Sequence, residues 1–340
     1  VKNLLPRLGL LAAAVTLLTA CPSEKPAETP SQPAAAQAPK APAFNADSAY
    51  AYTAKQVAFG PRVPNTPAHV ACGNYLVAKL KSFGLTVREQ PFKAMTFDGT
   101  LISGRNIIAQ YQPTAARRIA IFGHWDTRPF ADADKQHKNA PMDGASDGAS
   151  AVATALEIAR VLSPQTGGAA PNVGVDFILF DAEDWGYEAD TQADLKNQID
   201  ESKGSSWCLG SQYWAKNLVP AGYKAEYGVL LDMVGAKNGR FTREGTSLQN
   251  ARSAVDKIWN TAAKIGYSDY FLFTDTGAIL DDHVYTNQAG IPTVDIYDHP
   301  PYGSEYFPAY HHATTDNMSI IDRKTMKAVG QTLLTVLYQE

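Results

Sequence analysis

The sequence is short of cysteine, with three in 340 residues. A scaffold held together by many disulfides is therefore excluded, and the fold must rest on burial of apolar groups. An excess of positive charge is also missing. Lys and Arg number 30 against 34 Asp and Glu, a net charge of −4. No Lys/Arg run or basic face appears, so nucleic acid is not an expected partner. No internal repeat recurs, and no second composition regime follows residue 44. The first apolar run, Leu8–Ala20, is too short to span a bilayer comfortably. No Cys or Ser stands in a setting that marks a nucleophile.

What is present begins with an export signature. Residues 1–21 carry Lys2 and Arg7 ahead of that apolar run, as a secretion signal does. Leu18-Thr19-Ala20-Cys21 resembles the lipobox of bacterial lipoproteins, which implies cleavage before Cys21 and a lipid on its thiol. The alternative is an ordinary signal peptide with a Cys near its cleavage point. Residues 22–43 are rich in Pro, Ala, Ser and Gln and read as a solvated tether. The expectation is a domain, 44–340, held at a bacterial membrane and facing the periplasm. In that oxidising compartment Cys72 and Cys208 could form a disulfide or remain two buried thiols.

From residue 44 on, strand and helix patterns alternate. Thr66-Pro67 opens a helix that Gly84 stops. Thr86–Gln90, Ile102–Tyr111, Arg118–Phe122, Val173–Asp181, Tyr227–Val234 and Pro292–Ile296 read as strands. Ala151–Leu162, Gly210–Asn217, Ala251–Ile265 and Lys324–Tyr338 read as helices. The alternation predicts an α/β fold, a central mixed, mostly parallel β-sheet between layers of helices. Thr127–Pro141, Glu188–Ser206, Asp281-Asp282-His283 and Tyr297–Ala313 are expected in loops.

Polar residues recur at one place in this pattern, just past a strand. His124 and Asp126 follow one strand, Glu183 and Asp184 follow the apolar Val173–Asp181, and Asp232 ends a third. Ligands in open α/β sheets bind beyond the carboxyl ends of strands. Asp147 lies at a helix start, where a cap is the ordinary reading. Asp281 and the His311-His312 pair lie in loops. An Asp/Glu/His set of this kind suits a zinc site with an open position, with further carboxylates to carry protons.

The order GHWD, MDGASDGAS, FDAED, LLDMVGA, DDH and HHATTDN resembles the zinc-dependent aminopeptidase family and its glutaminyl cyclase branch. The resemblance spans about residues 50–340 and implies a zinc exopeptidase-like three-layer sandwich. It implies one zinc per chain on Asp147, Asp184 and His312. Glu183 corresponds to the proton-transfer carboxylate, and Asp232 and Asp281 to the hydrogen-bonded acid network of the cyclases. Two positions depart from the animal cyclases: Asp184 stands where they have Glu, and His311 where they have Trp. Trp185 is then the expected aromatic wall of the substrate pocket.

The implied activity is conversion of N-terminal Gln of peptides or proteins to pyroglutamate, with release of ammonia. His124, Asp126 and Asp232 also resemble positions around the second metal of the aminopeptidases, so aminopeptidase is the alternative. A non-catalytic zinc-binding domain of the same fold is a third reading, weakened by the presence of Glu183.

Overall fold

A computed structural model describes residues 40–165, 169–187, 205–300 and 306–340. Cys21, the signal segment and most of the tether lie outside the described residues, as does most of the polar insertion 188–206.

The strands are β1 (Thr86–Met95), β2 (Leu101–Tyr111), β3 (Arg118–His124), β4 (Gly174–Phe180), β5 (Tyr227–Asp232), β6 (Phe241–Arg243), β7 (Phe271–Asp275) and β8 (Thr293–Tyr297). Six of them form one sheet in the order β1-β2-β4-β3-β5-β8; β6 and β7 pair separately. β4, β3, β5 and β8 run parallel to their neighbours. The hairpin β1–β2 joins β4 antiparallel, which makes the sheet mixed.

Side chains alternate across the strands and fill two cores. Ile107, Ile121, Phe177 and Val229 face the larger one. Ile108, Phe122, Ile178 and Leu230 face the other. The larger core is covered by α1 (Ala46–Val57), α2 (Pro67–Ser82), α3 (Ala149–Leu162), a long helix α5 (Gly245–Lys264) and the closing α7 (Arg323–Leu337). On the opposite face lie α4 (Leu209–Lys216), through Trp214, and α6 (Asp282–Gln288). The expected three-layer α/β architecture is thus present. Among the described residues no helix is long and apolar enough to cross a membrane.

The sequence reading did not include α1, β6 or β7, and three further segments differ from it, each for a local reason. β1 runs on through Pro91, because it is an edge strand whose outer side needs no N–H donor. α5 starts at Gly245 rather than Ala251, since the Glu244 side chain caps Thr246 and Ser247; the helix kinks at Ala251. Asp281 is not in mid-loop but is the N-cap of α6, accepting from the Asp282 amide.

Candidate active site and metal centre

The carboxyl ends of the parallel strands open into a cavity. Asp147, Glu183, Asp184, Asp232 and Asp281 line it together with His311, His312, Trp207, Phe307, Ile279 and Leu280. β4 delivers the acidic pair, β5 ends on Asp232, and the segment before α3 supplies Asp147.

Two buried aspartates hold the ligand loops in place. Asp126 accepts from the amides of Glu183 and Asp184, at 3.1 and 3.2 Å. Asp316 accepts from the amides of Ser146 and Asp147, at 2.7 and 3.0 Å. An unpaired buried amide costs about 1–3 kcal/mol, so each clamp strongly favours one loop conformation. Gly148, at φ 81°, lets this segment pass the ring of His124; a Cβ there would sit 2.9 Å from His124 Cε1. Four non-glycine residues in or beside the site hold left-handed φ: Ala182, Cys208, Met233 and His312. Such conformations cost on the order of 1–3 kcal/mol each and persist where the surroundings over-determine them.

The donors fall into overlapping sets. His312 Nε2 lies 3.1 Å from Asp184 Oδ1. Asp184 Oδ2 accepts from the Arg128 amide at 2.7 Å, whereas Oδ1 is buried with no hydrogen-bond partner. Asp147 groups with His311 and His312, their ligand atoms within 4.8 Å of one another. His124 Nε2 lies 3.0 Å from Asp147 Oδ1 and 3.3 Å from Asp232 Oδ1, so Asp147 belongs to a second set as well.

Residues 106–337 match Peptidase family M28. The chain belongs to that family. It is similar along 88% of its length to a Zn-dependent exopeptidase from Parabacteroides distasonis, with 46% identity, TM-score 0.81 and all of that chain covered. It is as similar to Tannerella forsythia glutaminyl cyclase, at 45% identity and TM-score 0.81 over 88% of this chain and 100% of that one. A glutaminyl-peptide cyclotransferase-like protein of Bos taurus is 24% identical over 298 residues, 81% of this chain and 71% of its own.

Membership of M28 implies zinc, and the donor set fits it. Tetrahedral zinc with bonds of about 2.0–2.1 Å places its ligand atoms roughly 3.3 Å apart. The His312–Asp184 approach of 3.1 Å is close to that spacing, and both atoms belong to buried side chains that can give lone pairs to one cation. Burial and the nearby Arg128 guanidinium push His312 down to about 3, which keeps the ring neutral as a ligand must be. Burial, then Asp147, raises Asp184 well above the carboxylate range. Burial and the neighbouring carboxylates outweigh the opposing charges of Arg128 and His124, and a bound cation would work against that shift.

Beside these donors stand further buried titratable groups. Burial raises Glu183 well above its ordinary value, reinforced by Asp281 and Asp184. Asp281 is pushed up to about 7 by burial and by Asp232, which is itself raised to about 6. Burial opposes a charge on His124, but Asp126, Asp147 and Asp232 outweigh it and raise that ring. The loop bearing Asp281 is anchored by Glu244, whose Oε1 accepts from the Ile279 amide at 3.0 Å while His283 Nε2 lies 3.2 Å from Oε2.

The indole at the cavity is that of Trp207, not Trp185. Trp185 is buried among Phe92, Ile102 and Ala182, and its Nε1 donates to Asp98 at 3.3 Å. The Trp207 ring packs directly on Gly186, where a Cβ would strike it. Trp207 stacks on His312 at 5.5 Å, with the Arg128 guanidinium 4.7 Å from its ring. His311 stacks between His312 and Phe307. Cys72 and Cys208 are separate buried thiols. Sequence reading passed over Trp207, which follows a polar insertion, and named Cys208 only as a thiol or disulfide partner; Asp126 and Asp316 lay inside quoted motifs, with nothing local to mark them as clamps.

Asp282, buried behind Asp281, gives a stability prediction. Burial and Asp281 raise it to about 8. Its unfolded value is about 3.9. The folded state therefore holds this proton more tightly, and the associated stability, full below about 4, is lost as pH rises through about 8. The neutral isostere in Asp282→Asn removes that loss. The fall in unfolding free energy between pH 5 and pH 8 should be shallower than in the wild type by up to about 1.4 kcal/mol per pH unit, and the fall in Tm shallower with it. Parallel thermal melts check this, and identical slopes would show that Asp282 does not titrate there.

Proposed function

We propose that this M28 chain is a glutaminyl-peptide cyclotransferase, acting on peptides or proteins that begin with Gln. The observation that carries the reading is the meeting of Glu183 and Asp281, with atoms within 4.8 Å of each other, in the cavity that holds the ligand set. The likeness to the T. forsythia cyclase supports it.

Asp147, Asp184 and His312 would hold one zinc. Bound there, zinc supplies a Lewis acid for the γ-carbonyl oxygen of the substrate. Trp207, Phe307 and Ile279 enclose the Gln side chain and fold it toward its own α-amine, which lowers the entropy barrier to a five-membered ring. The amine nitrogen attacks the carboxamide carbon and gives a proton to Glu183. Glu183 returns that proton to the departing nitrogen as the C–N bond breaks, so one carboxyl serves as base and then acid. Asp281 and Asp232 share a proton beside it and steady the leaving nitrogen. No covalent bond to the chain is required.

The second reading, aminopeptidase, is favoured by one observation: His124, Asp147 and Asp232 form a further buried donor set that could hold a second cation. Purified protein should contain one zinc per chain. It should release ammonia from a Gln-initiated peptide and no free leucine from a Leu-initiated one. Two zincs at full occupancy with leucine release would transfer the assignment to aminopeptidase.

For residues 1–43 we propose export and a lipid anchor on Cys21, supported by the Leu18-Thr19-Ala20-Cys21 sequence. Several acyl chains hold a protein firmly where one binds marginally. Wild-type protein made in a diderm bacterium should fractionate with membranes, and Cys21→Ala should be unprocessed or released. A cleaved, soluble wild type would end the lipoprotein proposal and leave the enzymatic one standing.

A further inference from the structure

A buried thiol touches the acid that moves the proton, and the reaction scheme above gives it no task. Cys208 Sγ lies 3.2 Å from Glu183 Oε1. Glu183, Cys208 and Asp281 each bring a polar atom to within 4.8 Å of the others. The two backbones are also joined: the Cys208 amide donates to the Glu183 carbonyl at 2.8 Å, and the Leu209 amide to the Ala182 carbonyl at 3.0 Å. Cys208 itself is wholly buried and stands immediately before α4.

The backbone supplies an independent observation. Cys208 holds φ at 59°, in the left-handed region that glycine enters without penalty and other residues resist. A position that needed only this turn would be met more easily by Gly or Asn. Here a side chain is kept against strain, and its sulfur is directed at a carboxylate that lines the cavity. Strain of this kind clusters where the surrounding groups are in use.

We propose that Cys208 is a positioning residue for Glu183. Its S–H donates to Oε1 and holds the carboxyl in one rotamer, leaving the second oxygen for the substrate proton. The sulfur must keep its hydrogen to do this, and burial, followed by the charge of Glu183, pushes the thiol well above its ordinary value. A thiol is a weak donor, so it fixes direction without tying up the carboxyl as a hydroxyl or amide would. This role rests on the cyclase reading of Glu183.

The test compares two substitutions on the zinc-loaded enzyme. Cys208→Ala removes the donor and should lower kcat roughly tenfold, with KM within about twofold and zinc content unchanged. Cys208→Ser keeps a donor on a slightly shorter arm and should recover most of that loss. A purely structural role predicts instead that Ala and Ser behave alike. A second arm needs no activity: the Raman S–H stretch assigned to Cys208, by its absence from Cys208→Ser, should lie low in the wild type and rise in Glu183→Ala. Equal kcat for the two cysteine variants, or an S–H band indifferent to Glu183→Ala, would overturn the proposal. If wild-type protein failed to cyclise Gln peptides the cyclase reading would fall, while the Raman arm would still decide whether the thiol holds Glu183.

Discussion

Replacing Glu183 by Gln should leave fold and zinc content intact and lower turnover of a Gln-initiated peptide by roughly 10²–10⁴-fold, the usual contribution of general acid–base catalysis. The substitution keeps size and removes only the ability to accept and return a proton. Glu183 is suited to both halves of that task because burial, with Asp281 and Asp184 nearby, raises it well above the carboxylate range. An acid so poised is nearer in proton affinity to the groups it serves at neutral pH. The ligand set should survive, since Asp126 clamps this segment through its amides and not through the Glu183 side chain. Steady-state kinetics and metal analysis of the same preparation check both parts. Near-normal turnover would assign the proton to another group, with Asp281, which brings an oxygen within 4.8 Å of Glu183, the candidate.

Asp281→Asn should have the next largest effect, a fall in kcat of about 10²-fold or more with little change in zinc and only a modest change in binding of a Gln dipeptide. Asp281 has a structural duty as well, capping α6 by accepting from the Asp282 amide. Asn caps a helix start as well as Asp does, so the variant spares that duty and isolates the chemical one. What Asn cannot do is share a proton. In the wild type burial and the charge of Asp232 raise Asp281 to about 7, so ionisation of Asp232 opposes that of Asp281. Turnover close to wild type in Asp281→Asn, with an unchanged melting temperature, would reduce the residue to a cap and weaken the choice of cyclase over aminopeptidase.

The sequence by itself determined the class of fold and the place of the chemistry. Short apolar runs such as Phe177–Phe180, ending in charge, mark buried parallel strands and their carboxyl ends, because burial on both faces and a ligand edge are local properties of a strand. The ordered motifs carried Asp147, Glu183, Asp184, Asp232, Asp281 and His312 to one cavity, where the structure places them together. Only the tertiary structure decided which aromatic ring reaches that cavity. Trp185 adjoins the acidic pair in sequence, yet its indole turns to the β1–β2 hairpin and Asp98, while Trp207 returns from beyond an insertion to stack on His312. Only the tertiary structure, likewise, showed Asp126 and Asp316 to be clamps, left Cys72 and Cys208 as separate thiols, and set Cys208 against Glu183. Periodicity and turn chemistry fix what neighbours in the chain do. A hydrogen bond between Asp316 and Ser146 spans 170 residues, and no local pattern encodes it.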